Sequence, residues 1–425
     1  MRADQAGIGQ SATLEAANEL VGALMTEAAR TDPYPVYEQL HRLGAALPLN
    51  ENFAVAHGYA EVNGALRNPA LGKWDARSDP NYALLAEHAS LTVLNESILD
   101  LNPPDHGRVR RLLSAVFTPR RTSGLAPAIE VTVDALLDAM AEAGRGRDPV
   151  DFMDAFAFRL PVSVICELLG VPEADRYRFR ALGHDMAIAL ELVTDLDVLG
   201  PADAATLEIR DYFADLVAKR RAEPRDDLIS ALVHEADGED GRLTENELLG
   251  NLALLLLAGF ETTTNLLGNG LAVLFDRPEL TDGLRARKVP VSDFVEEVLR
   301  WDSPVQLTSR VALTGGVEVG GVPVPQGAQI MLLLGAANHD PSRFADPRVF
   351  EVNRPDNQPL SFGAGAHYCL GAALARLEAA TAFPRLLERF PELAPAEGVE
   401  RIRADRLVLR GYRTLPVTVG SSGPP

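Results

Sequence analysis

The feature that most constrains the fold is one long run of helical periodicity in the second half of the chain. Thr244 and Glu247 form a T-x-x-E capping box, and apolar residues then recur at helical spacing to about Phe275, before Pro278 stops the pattern. At 1.5 Å per residue the predicted helix is about 45 Å long, which is enough to cross a whole domain. We therefore expect this helix to run through the core and to line whatever lies at its centre.

Helical periodicity also dominates most of the remaining chain. It recurs in four further stretches, which are SGLAPAIEVTVDALLDAMAEA, DAFAFRLPVSVICELLGV, AATLEIRDYFADLVAKRRAE and DDLISALVHEA. Strand patterns gather late, where GGVEVGGVPVPQGAQIMLLL and RLVLRGYRTLPVTV alternate apolar residues between Gly and Pro turns. The chain shows no internal repeat and no linker. The predicted fold class is therefore mainly α with a small β region, in a single large domain.

Composition and charge exclude several classes of protein. The formal net charge of −20 disfavours nucleic-acid binding, because phosphates need Lys and Arg partners. The longest uniformly apolar stretch, 252–260, is far too short to span a bilayer. The N-terminus lacks the pattern of a signal peptide, and two cysteines are too few for a disulfide framework. We expect a compact cytoplasmic protein with reduced thiols and no membrane or nucleic-acid partner.

The middle of the predicted helix breaks local rules of helix composition. In LALLLLAGFETTTNLLGNG, Glu261 lies among apolar residues, where a carboxylate is costly unless it is paired. Thr262 is a poor helix former, and Gly259 costs about 1 kcal/mol relative to alanine. Such breaks tend to mark functional sites. The alternative is that Gly259 permits close helix packing and that Glu261 reaches a structural partner, and these residues alone leave both interpretations open.

One of the two cysteines lies in the glycine-rich stretch FGAGAHYCLGAAL. Its glycines allow tight turns and a close approach of backbone to a bulky group. Cys369 precedes a run of strong helix formers, and a helix N-terminus favours the thiolate. Four interpretations compete: a buried structural cysteine, a nucleophile with His367 as its base, a zinc ligand, and an axial haem ligand. Zinc needs about four ligands and no second Cys/His cluster is near in the sequence, whereas one thiolate suffices for haem.

The pattern F-x-x-G-x-H-x-C-x-G in this stretch resembles the haem-ligand signature of the cytochrome P450 monooxygenases. It is matched by Phe362, Gly365, His367, Cys369 and Gly371. Two more segments resemble the family in the same order: AGFETT, residues 258–263, is similar to the oxygen-activating segment of its central helix, and residues 297–300 are similar to its E-x-x-R motif. NPPDHGRVRRLLSAVFTPR also resembles the soluble bacterial branch. The resemblance covers nearly everything from about residue 31 to 419.

The resemblance implies a cytochrome P450 fold, a single large domain whose long central helix crosses over the haem. The implied domain spans 29–420, between an N-terminal tail over 1–28 that could be flexible and a C-terminal tail over 421–425. The cofactor implied is haem b, iron protoporphyrin IX, with Cys369 as the metal ligand and Phe362 shielding the thiolate from water. Residues expected to bind the cofactor are His106, Arg110, Ala258, Gly259, Arg310, Phe362, Gly363, His367, Cys369 and Gly371.

Four of these residues are expected to contact the haem propionates, since carboxylates favour Arg and His partners. They are His106, Arg110, Arg310 and His367. His106 and Arg110 stand four residues apart on a helix predicted to be opened by Pro103, Pro104 and Asp105, so they share one face. On the oxygen side the resemblance implies that Glu261 and Thr262 are the catalytic acid and alcohol that deliver protons.

Periodicity and resemblance disagree about Glu297 and Arg300. The apolar residues around them form one side of a helix, so periodicity predicts a solvent-facing pair. The resemblance predicts a buried structural pair instead. Where many relatives carry a third member, an arginine, this chain has Val349, and Arg348 and Arg354 are both candidates to replace it.

The predicted reaction is hydroxylation or epoxidation of a lipophilic small molecule by dioxygen, with a secondary metabolite such as a polyketide as the candidate substrate. Oxidative coupling on the same haem and a non-catalytic haem sensor are the alternatives. Predicted substrate-contacting segments are residues 82–99, 186–198, 254–258, 305–307 and 408–412, with Glu96, Ser97 and Gln306 as polar anchors.

Two electrons are expected from a ferredoxin and its reductase, because the chain has no flavin or nicotinamide motif. A basic cluster is either their dock or a solvated group of charges; its members are Arg108, Arg111, Arg120 and Arg121. We expect a monomer.

Overall fold

The structure is a computed structural model that describes residues 2–145, 148–237 and 243–420. The C-terminal tail predicted over 421–425 lies outside the described residues. The chain forms two compact units. Unit 1 comprises Met1–Trp74, Glu296–Cys369 and Arg403–Arg410, and unit 2 comprises Asp75–Val295, Leu370–Ile402 and Gly411–Pro425.

The described chain is mainly helical, as predicted. Its α-helices are α1 (Arg2–Leu24), α2 (Glu27–Thr31), α3 (Tyr34–Leu43), α4 (Tyr59–Arg67), α5 (Tyr82–Leu85), α6 (Ala89–Asn95), α7 (Asp105–Val116), α8 (Pro119–Gly124), α9 (Ala126–Ala143), α10 (Arg159–Leu169), α11 (Glu173–Arg176), α12 (Phe179–Met186), α13 (Gly200–Ala222), α14 (Leu228–Ala236), α15 (Glu245–Asp276), α16 (Pro278–Arg285), α17 (Val291–Trp301), α18 (Leu334–Ala337) and α19 (Ala372–Arg389).

The strands are short. They are β1 (Ala46–Asn50), β2 (Phe53–Ala56), β3 (Leu71–Gly72), β4 (Val150–Asp151), β5 (Leu307–Ala312), β6 (Val317–Val319), β7 (Val322–Val324), β8 (Gln329–Leu333), β9 (Ala394–Pro395), β10 (Ile402–Arg403), β11 (Tyr412–Thr414) and β12 (Pro416–Thr418).

Unit 1 contains most of the sheet structure. Five strands pair in the order β1-β2-β8-β5-β3, in which β2 and β8 run parallel and the other neighbours run antiparallel. The apolar faces of these strands pack with α4 and with the β6-β7 hairpin around Ala56, Ile330 and Leu332, all of which are fully buried. This sheet fixes Arg310, which lies opposite Ile330 in the β5-β8 register.

Unit 2 is built around α15. The capping box predicted at its start is present: Glu247 N donates to Thr244 Oγ1 (3.1 Å), and Thr244 N donates to Glu247 Oε2 (2.8 Å). The helix then continues to Asp276, within one residue of the predicted end. Its side chains pack against α6, α10, α13, α14 and α19. Because neighbours cover it on every side, α15 is buried along most of its length.

The predicted N-terminal tail over 1–28 contains a helix that packs against other elements of unit 1. Within the predicted tail over 1–28, α1 packs against α3 and β1 of unit 1, with Ala17 and Leu24 buried. Asn18 Nδ2 also donates to Leu49 O (2.9 Å). The domain limits stay a prediction.

None of the helices in the described part of the chain has the length and apolar character that a bilayer crossing requires.

Candidate active site

The stretch that carries Cys369 forms a closed turn in unit 1. Cys369 N donates to Phe362 O (3.0 Å), and Tyr368 N donates to Gly365 O (3.1 Å) at the end of a short 3-10 helix over Gly365–His367. These backbone bonds close the turn. Cys369 is exposed on it.

Glycine is required at two positions of this turn. Gly363 and Gly365 have φ angles of 67° and 69°, in the left-handed region that other residues rarely adopt. A Cβ on Gly365 would also lie 2.3 Å from the carbonyl oxygen of Leu66. The glycines therefore serve the shape of the turn itself, as the sequence predicted.

The two cysteines have opposite surroundings. Cys166 is fully buried in α10, where burial raises the pKa of its thiol to about 12 and keeps it inert at neutral pH. Cys369 is exposed, which contradicts its interpretation as a buried structural cysteine. Only the thiol of Cys369 is presented to a ligand.

Cys369 is suited to a prosthetic group whose metal needs a single protein ligand. No cluster of three or more His, Cys, Asp or Glu side chains that could hold a metal ion occurs among the described residues. A zinc site normally has three or four protein ligands, so the zinc interpretation is not supported. One thiolate is enough for haem iron. An exposed thiol on a tight glycine turn fits the close approach of a flat macrocycle.

The other site residues predicted in unit 1 lie on two elements. Arg310 is buried on β5, where its Nη1 donates to Ser309 O (2.7 Å) and to Thr308 Oγ1 (3.3 Å). Phe362 and His367 are half-buried on the Cys369 turn. Phe362 is therefore tied to the cysteine through their backbones, as a shielding residue requires.

In unit 2, the accessible part of α15 coincides with the segment predicted to activate oxygen. The helix is buried from Glu247 to Leu257 and again from Thr263 to Leu274. Between these stretches only Phe260 is buried; Ala258 is exposed, and Gly259, Glu261 and Thr262 are half-buried. The middle of the helix is thus accessible between two buried stretches. The polar side chains there are the carboxyl group of Glu261 and the hydroxyl group of Thr262.

The Thr262 hydroxyl has a defined orientation. Its Oγ1 donates to Ala258 O (3.1 Å), one turn back along the helix. A hydroxyl has one hydrogen to donate and two lone pairs to accept with. In this state Thr262 can therefore only accept a hydrogen bond from a water or a ligand.

The role of Gly259 is explained by packing. A Cβ at this position would lie 2.6 Å from Cγ1 and 2.9 Å from Cδ1 of Ile165 on α10, so only glycine allows α10 and α15 to approach this closely. Of the two interpretations that the sequence left open, close helix packing is the one with structural support. The role of Gly259 in cofactor binding stays a prediction.

We expect Gly259→Ala to destabilise the protein by about 1–3 kcal/mol, because the added methyl group overpacks the contact with Ile165. At an uncrowded helix position the same change gains about 1 kcal/mol of helix propensity. Gly64 in α4 is the matched control, since nothing lies within 4 Å of a Cβ built there. Urea unfolding should show opposite signs for Gly64→Ala and Gly259→Ala, and a Gly259→Ala variant as stable as the parent would contradict this assignment.

His106 and Arg110 lie one turn apart on α7, which begins at Asp105, the last of the three residues predicted to open it. His106 is buried and Arg110 is half-buried. Arg108 is committed to ion pairs with Glu247 (2.5 Å) and Asp105 (2.9 Å). It is therefore a poor member of the predicted basic dock, whose other arginines are exposed.

The E-x-x-R pair is buried, so the resemblance predicted it correctly and periodicity did not. Glu297 and Arg300 are both fully buried in unit 1. Arg300 Nη2 donates to Glu297 Oε1 (2.7 Å) and Arg300 Nε to Oε2 (2.8 Å), which is a two-pronged contact. The guanidinium also donates to the carbonyl oxygens of Asn338, Pro347 and Val349 (3.0–3.1 Å). A distant segment covers the side that helical periodicity assigned to solvent.

Arg354 is the third member of this cluster. Its Nε lies 3.4 Å from Glu297 Oε1, and its Nη2 donates to Val349 O (2.8 Å). Arg348 instead pairs with Glu38 at the surface (3.3 Å). The Val349 side chain is 54% exposed, so this residue contributes its carbonyl group alone.

Sequence reasoning missed one member of the cluster. Asn357 Nδ2 donates to Glu297 Oε2 (3.0 Å), and Glu351 N donates to Glu297 Oε1 (2.8 Å). An isolated Asn in a Pro-rich loop carries no pattern that would have identified it. Glu297 therefore receives hydrogen bonds from three side chains and one backbone amide.

The predicted polar substrate anchors make hydrogen bonds within the fold. Gln306 is buried, accepts from Tyr37 (2.9 Å) and donates to Ser303 O (2.7 Å). Ser97 is buried and donates to Leu94 O (2.7 Å). These contacts give both side chains a structural role, and their role as substrate anchors stays a prediction. Glu96 accepts from Asn246 through Oε1 (3.0 Å), whereas its Oε2 is buried without a hydrogen bond, so its predicted role as an anchor stays a prediction.

Comparison with known proteins agrees with these features. The model of the Cytochrome P450 family matches residues 66–287 and 290–414, which include parts of both units. The cytochrome P450 monooxygenase PikC of Streptomyces venezuelae is 37% identical over 402 residues, 93% of each chain. The 6-deoxyerythronolide B hydroxylase of Saccharopolyspora erythraea is 35% identical over 93% of this chain and 98% of its own. The crystal structure of Mycobacterium smegmatis CYP164A2 superposes with a TM-score of 0.84 at 37% identity, over 95% of this chain and 100% of that chain.

Proposed function

The chain belongs to the cytochrome P450 family of haem-iron monooxygenases, and from this premise we propose that the Cys369 thiolate would hold the iron of its haem b. The observation that carries the proposal is the exposed Cys369 on a turn closed by its own backbone. A preformed turn presents the sulfur without reorganisation, and half-buried Phe362 limits access of water to it. When bound, haem supplies the iron centre at which dioxygen is bound and reduced.

The proton-delivery role falls to Glu261 and Thr262. Both are half-buried at the accessible middle of α15, and Thr262 is oriented as a hydrogen-bond acceptor by Ala258. A water that donates to Thr262 and exchanges protons with the Glu261 carboxyl would form a short relay. These two side chains argue for an active oxygenase over a haem sensor.

The propionate role falls to His106, Arg110, Arg310 and His367. Two of them, His106 and Arg310, are buried, and a buried cation or imidazole is stabilised by an anionic partner. A haem carboxylate supplies such a partner. Protein stability and haem binding should therefore depend on each other in this chain.

The substrate class proposed is a lipophilic small molecule such as a polyketide, and the reaction is hydroxylation or epoxidation. The name of the 6-deoxyerythronolide B hydroxylase supports oxidation of this kind of molecule. A ferredoxin and its reductase would supply the electrons, because no flavin or nicotinamide motif is found in the sequence. Monomeric state and cytoplasmic location stay predictions.

The test is oxygen-dependent turnover. Lipophilic compounds are first screened for a spin-state shift of the ferric protein, and a hit is then incubated with a surrogate ferredoxin, its reductase, NADPH and labelled dioxygen. One labelled oxygen atom in the product supports monooxygenation. Consumption of NADPH without any oxidised product from compounds that shift the spin state would contradict it, and a product that gains no oxygen would indicate coupling.

We expect Thr262→Ala to keep the spectrum of the parent and to lose about tenfold in product formed per NADPH, with hydrogen peroxide replacing product. Thr262→Ser keeps the hydroxyl and should keep most of the coupling. Thr263→Ala is the matched control, because Thr263 is the buried neighbour on the same helix. Unchanged coupling in Thr262→Ala would remove Thr262 from the relay.

A further inference from the structure

The first turn of α15 is held by side chains from several other elements of unit 2. Glu245 pairs with Arg221 of α13 (2.7 Å). Asn246 Nδ2 donates to Glu96 Oε1 at the end of α6 (3.0 Å). These two residues tie the central helix to elements that carry none of the predicted haem-binding residues.

Glu247, the third residue of that turn, is different because its partner is α7. Arg108 Nη1 donates to Glu247 Oε2 (3.1 Å), and Arg108 Nη2 donates to Oε1 (2.5 Å). Oε2 also accepts from Thr244 N (2.8 Å), which completes the capping box. The same carboxylate therefore caps α15 and also accepts two hydrogen bonds from Arg108 of α7.

The charge state of this pair is secure at neutral pH. Burial acts to raise the pKa of the Glu247 carboxyl, but hydrogen bonds from Arg108 and Thr244 outweigh it and hold that pKa below its ordinary value. Glu247 and Asp105 raise the pKa of Arg108. The pair is thus ionised; the Glu247 side chain is 12% exposed and the Arg108 side chain 34%, so water screens the pair mainly at its Arg108 end.

Arg108 stands between the two predicted propionate residues of α7. A helix turns 100° per residue, so His106 and Arg110 lie about 40° apart and Arg108 lies about 160° from each of them. The two hydrogen bonds from Arg108 to Glu247 restrain the rotation of α7 about its axis. That rotation decides the direction in which His106 and Arg110 point.

We propose that the Glu247–Arg108 pair is a positioning device that holds α7 in the rotation that presents His106 and Arg110 to the haem carboxylates. The proposal rests on the haem-binding function assigned above. Neither Glu247 nor Arg108 contacts the haem in this scheme; they act through α7. The expected consequence of losing the pair is faster loss of haem.

The test uses two variants that remove the pair from either side. Glu247→Gln keeps an oxygen that can cap Thr244 N but removes the charge, since Gln also serves in a capping box. Arg108→Met keeps the length of the side chain and removes the guanidinium. Haem transfer from each ferric holoprotein to excess apomyoglobin, followed by absorbance, should be about tenfold faster than for the parent, because a hydrogen bond between charged groups is worth that factor or more.

The matched control is Glu245→Gln, which removes an ion pair from the same turn of the same helix but leaves α7 untouched. We expect it to lose haem at the parental rate. Arg108→Lys, which keeps one charged contact, should fall between the parent and Arg108→Met. The double variant Glu247→Gln/Arg108→Met should lose haem no faster than either single variant, because both remove the same contact.

Two outcomes would overturn the inference. One is a parental rate of haem loss in both Glu247→Gln and Arg108→Met, and the other is an equal acceleration in Glu245→Gln, which would mean that any weakening of this turn has the same effect. The reduced, CO-bound spectrum of the parent separates this failure from failure of the proposed function. If the long-wavelength Soret band is present but haem loss is unchanged, the positioning role fails alone.

Discussion

Cys369→Ala is expected to abolish the long-wavelength Soret band of the reduced, CO-bound protein. That band reports a thiolate ligand on the haem iron, and Cys369 is the exposed one of the two cysteines, on a turn closed by backbone bonds to Phe362 and Gly365. An alanine fits the same turn, since the backbone bonds need no side chain. The variant should therefore fold and show the spectrum of haem without a sulfur ligand.

Cys166→Ala is the matched control for this experiment. Cys166 is fully buried and burial raises the pKa of its thiol, so it is unsuited to ligation. Its replacement should retain the band and cost about 1 kcal/mol of stability through lost packing. A folded Cys369→Ala variant that retains the band, or a Cys166→Ala variant that loses it, would refute the assignment.

Arg300→Met is expected to cost about 3–5 kcal/mol of unfolding free energy, because it leaves Glu297 buried without its main countercharge. A loss of that size is a large fraction of the total stability of a typical domain. The variant should therefore accumulate poorly as folded protein. Arg300→Lys keeps the charge but cannot reproduce the two-pronged contact, and we expect it to fold with reduced stability.

Arg348 and Arg354 provide the comparison for the loss of unfolding free energy expected in Arg300→Met. Arg348 pairs with Glu38 at the surface, where such pairs contribute about 0–1 kcal/mol, so Arg348→Met should be nearly neutral. Arg354→Met should cost more than Arg348→Met and less than Arg300→Met, because Arg354 shares Glu297 at a longer distance. Urea unfolding of the three variants measures the order. Equal stability of Arg348→Met and Arg354→Met would refute the assignment of Arg354 as the third member.

Features set by neighbours in the sequence were predictable. The capping box of Thr244 and Glu247 acts over three residues, and the predicted helix ends within one residue of the observed Asp276. The glycines of the Cys369 turn carry positive φ angles that a local pattern can signal. The start of α7 after Pro104 is local in the same way. Propensity and capping act within one turn of chain, so a linear pattern contains them.

Features set by distant residues were not predictable from periodicity. Glu297 looked solvent-facing until Arg354 and Asn357 covered it, some 57 and 60 residues along the chain. Gln306 looked like a substrate anchor, but Tyr37 uses its amide oxygen. Only resemblance to a family anticipated burial of the E-x-x-R pair, because a helical wheel contains no information about what packs on its polar side.

The sequence alone determined the helical class, the long central helix and the glycine turn, since these depend on contacts within a few residues. Tertiary structure decided what Gly259 is for, which arginine joins Glu297, and that Glu247 grips Arg108 as well as capping its own helix. Arg108 and Glu247 are 139 residues apart. Such pairings arise only when the chain is folded, because each side chain's partner is chosen by packing rather than by position in the sequence.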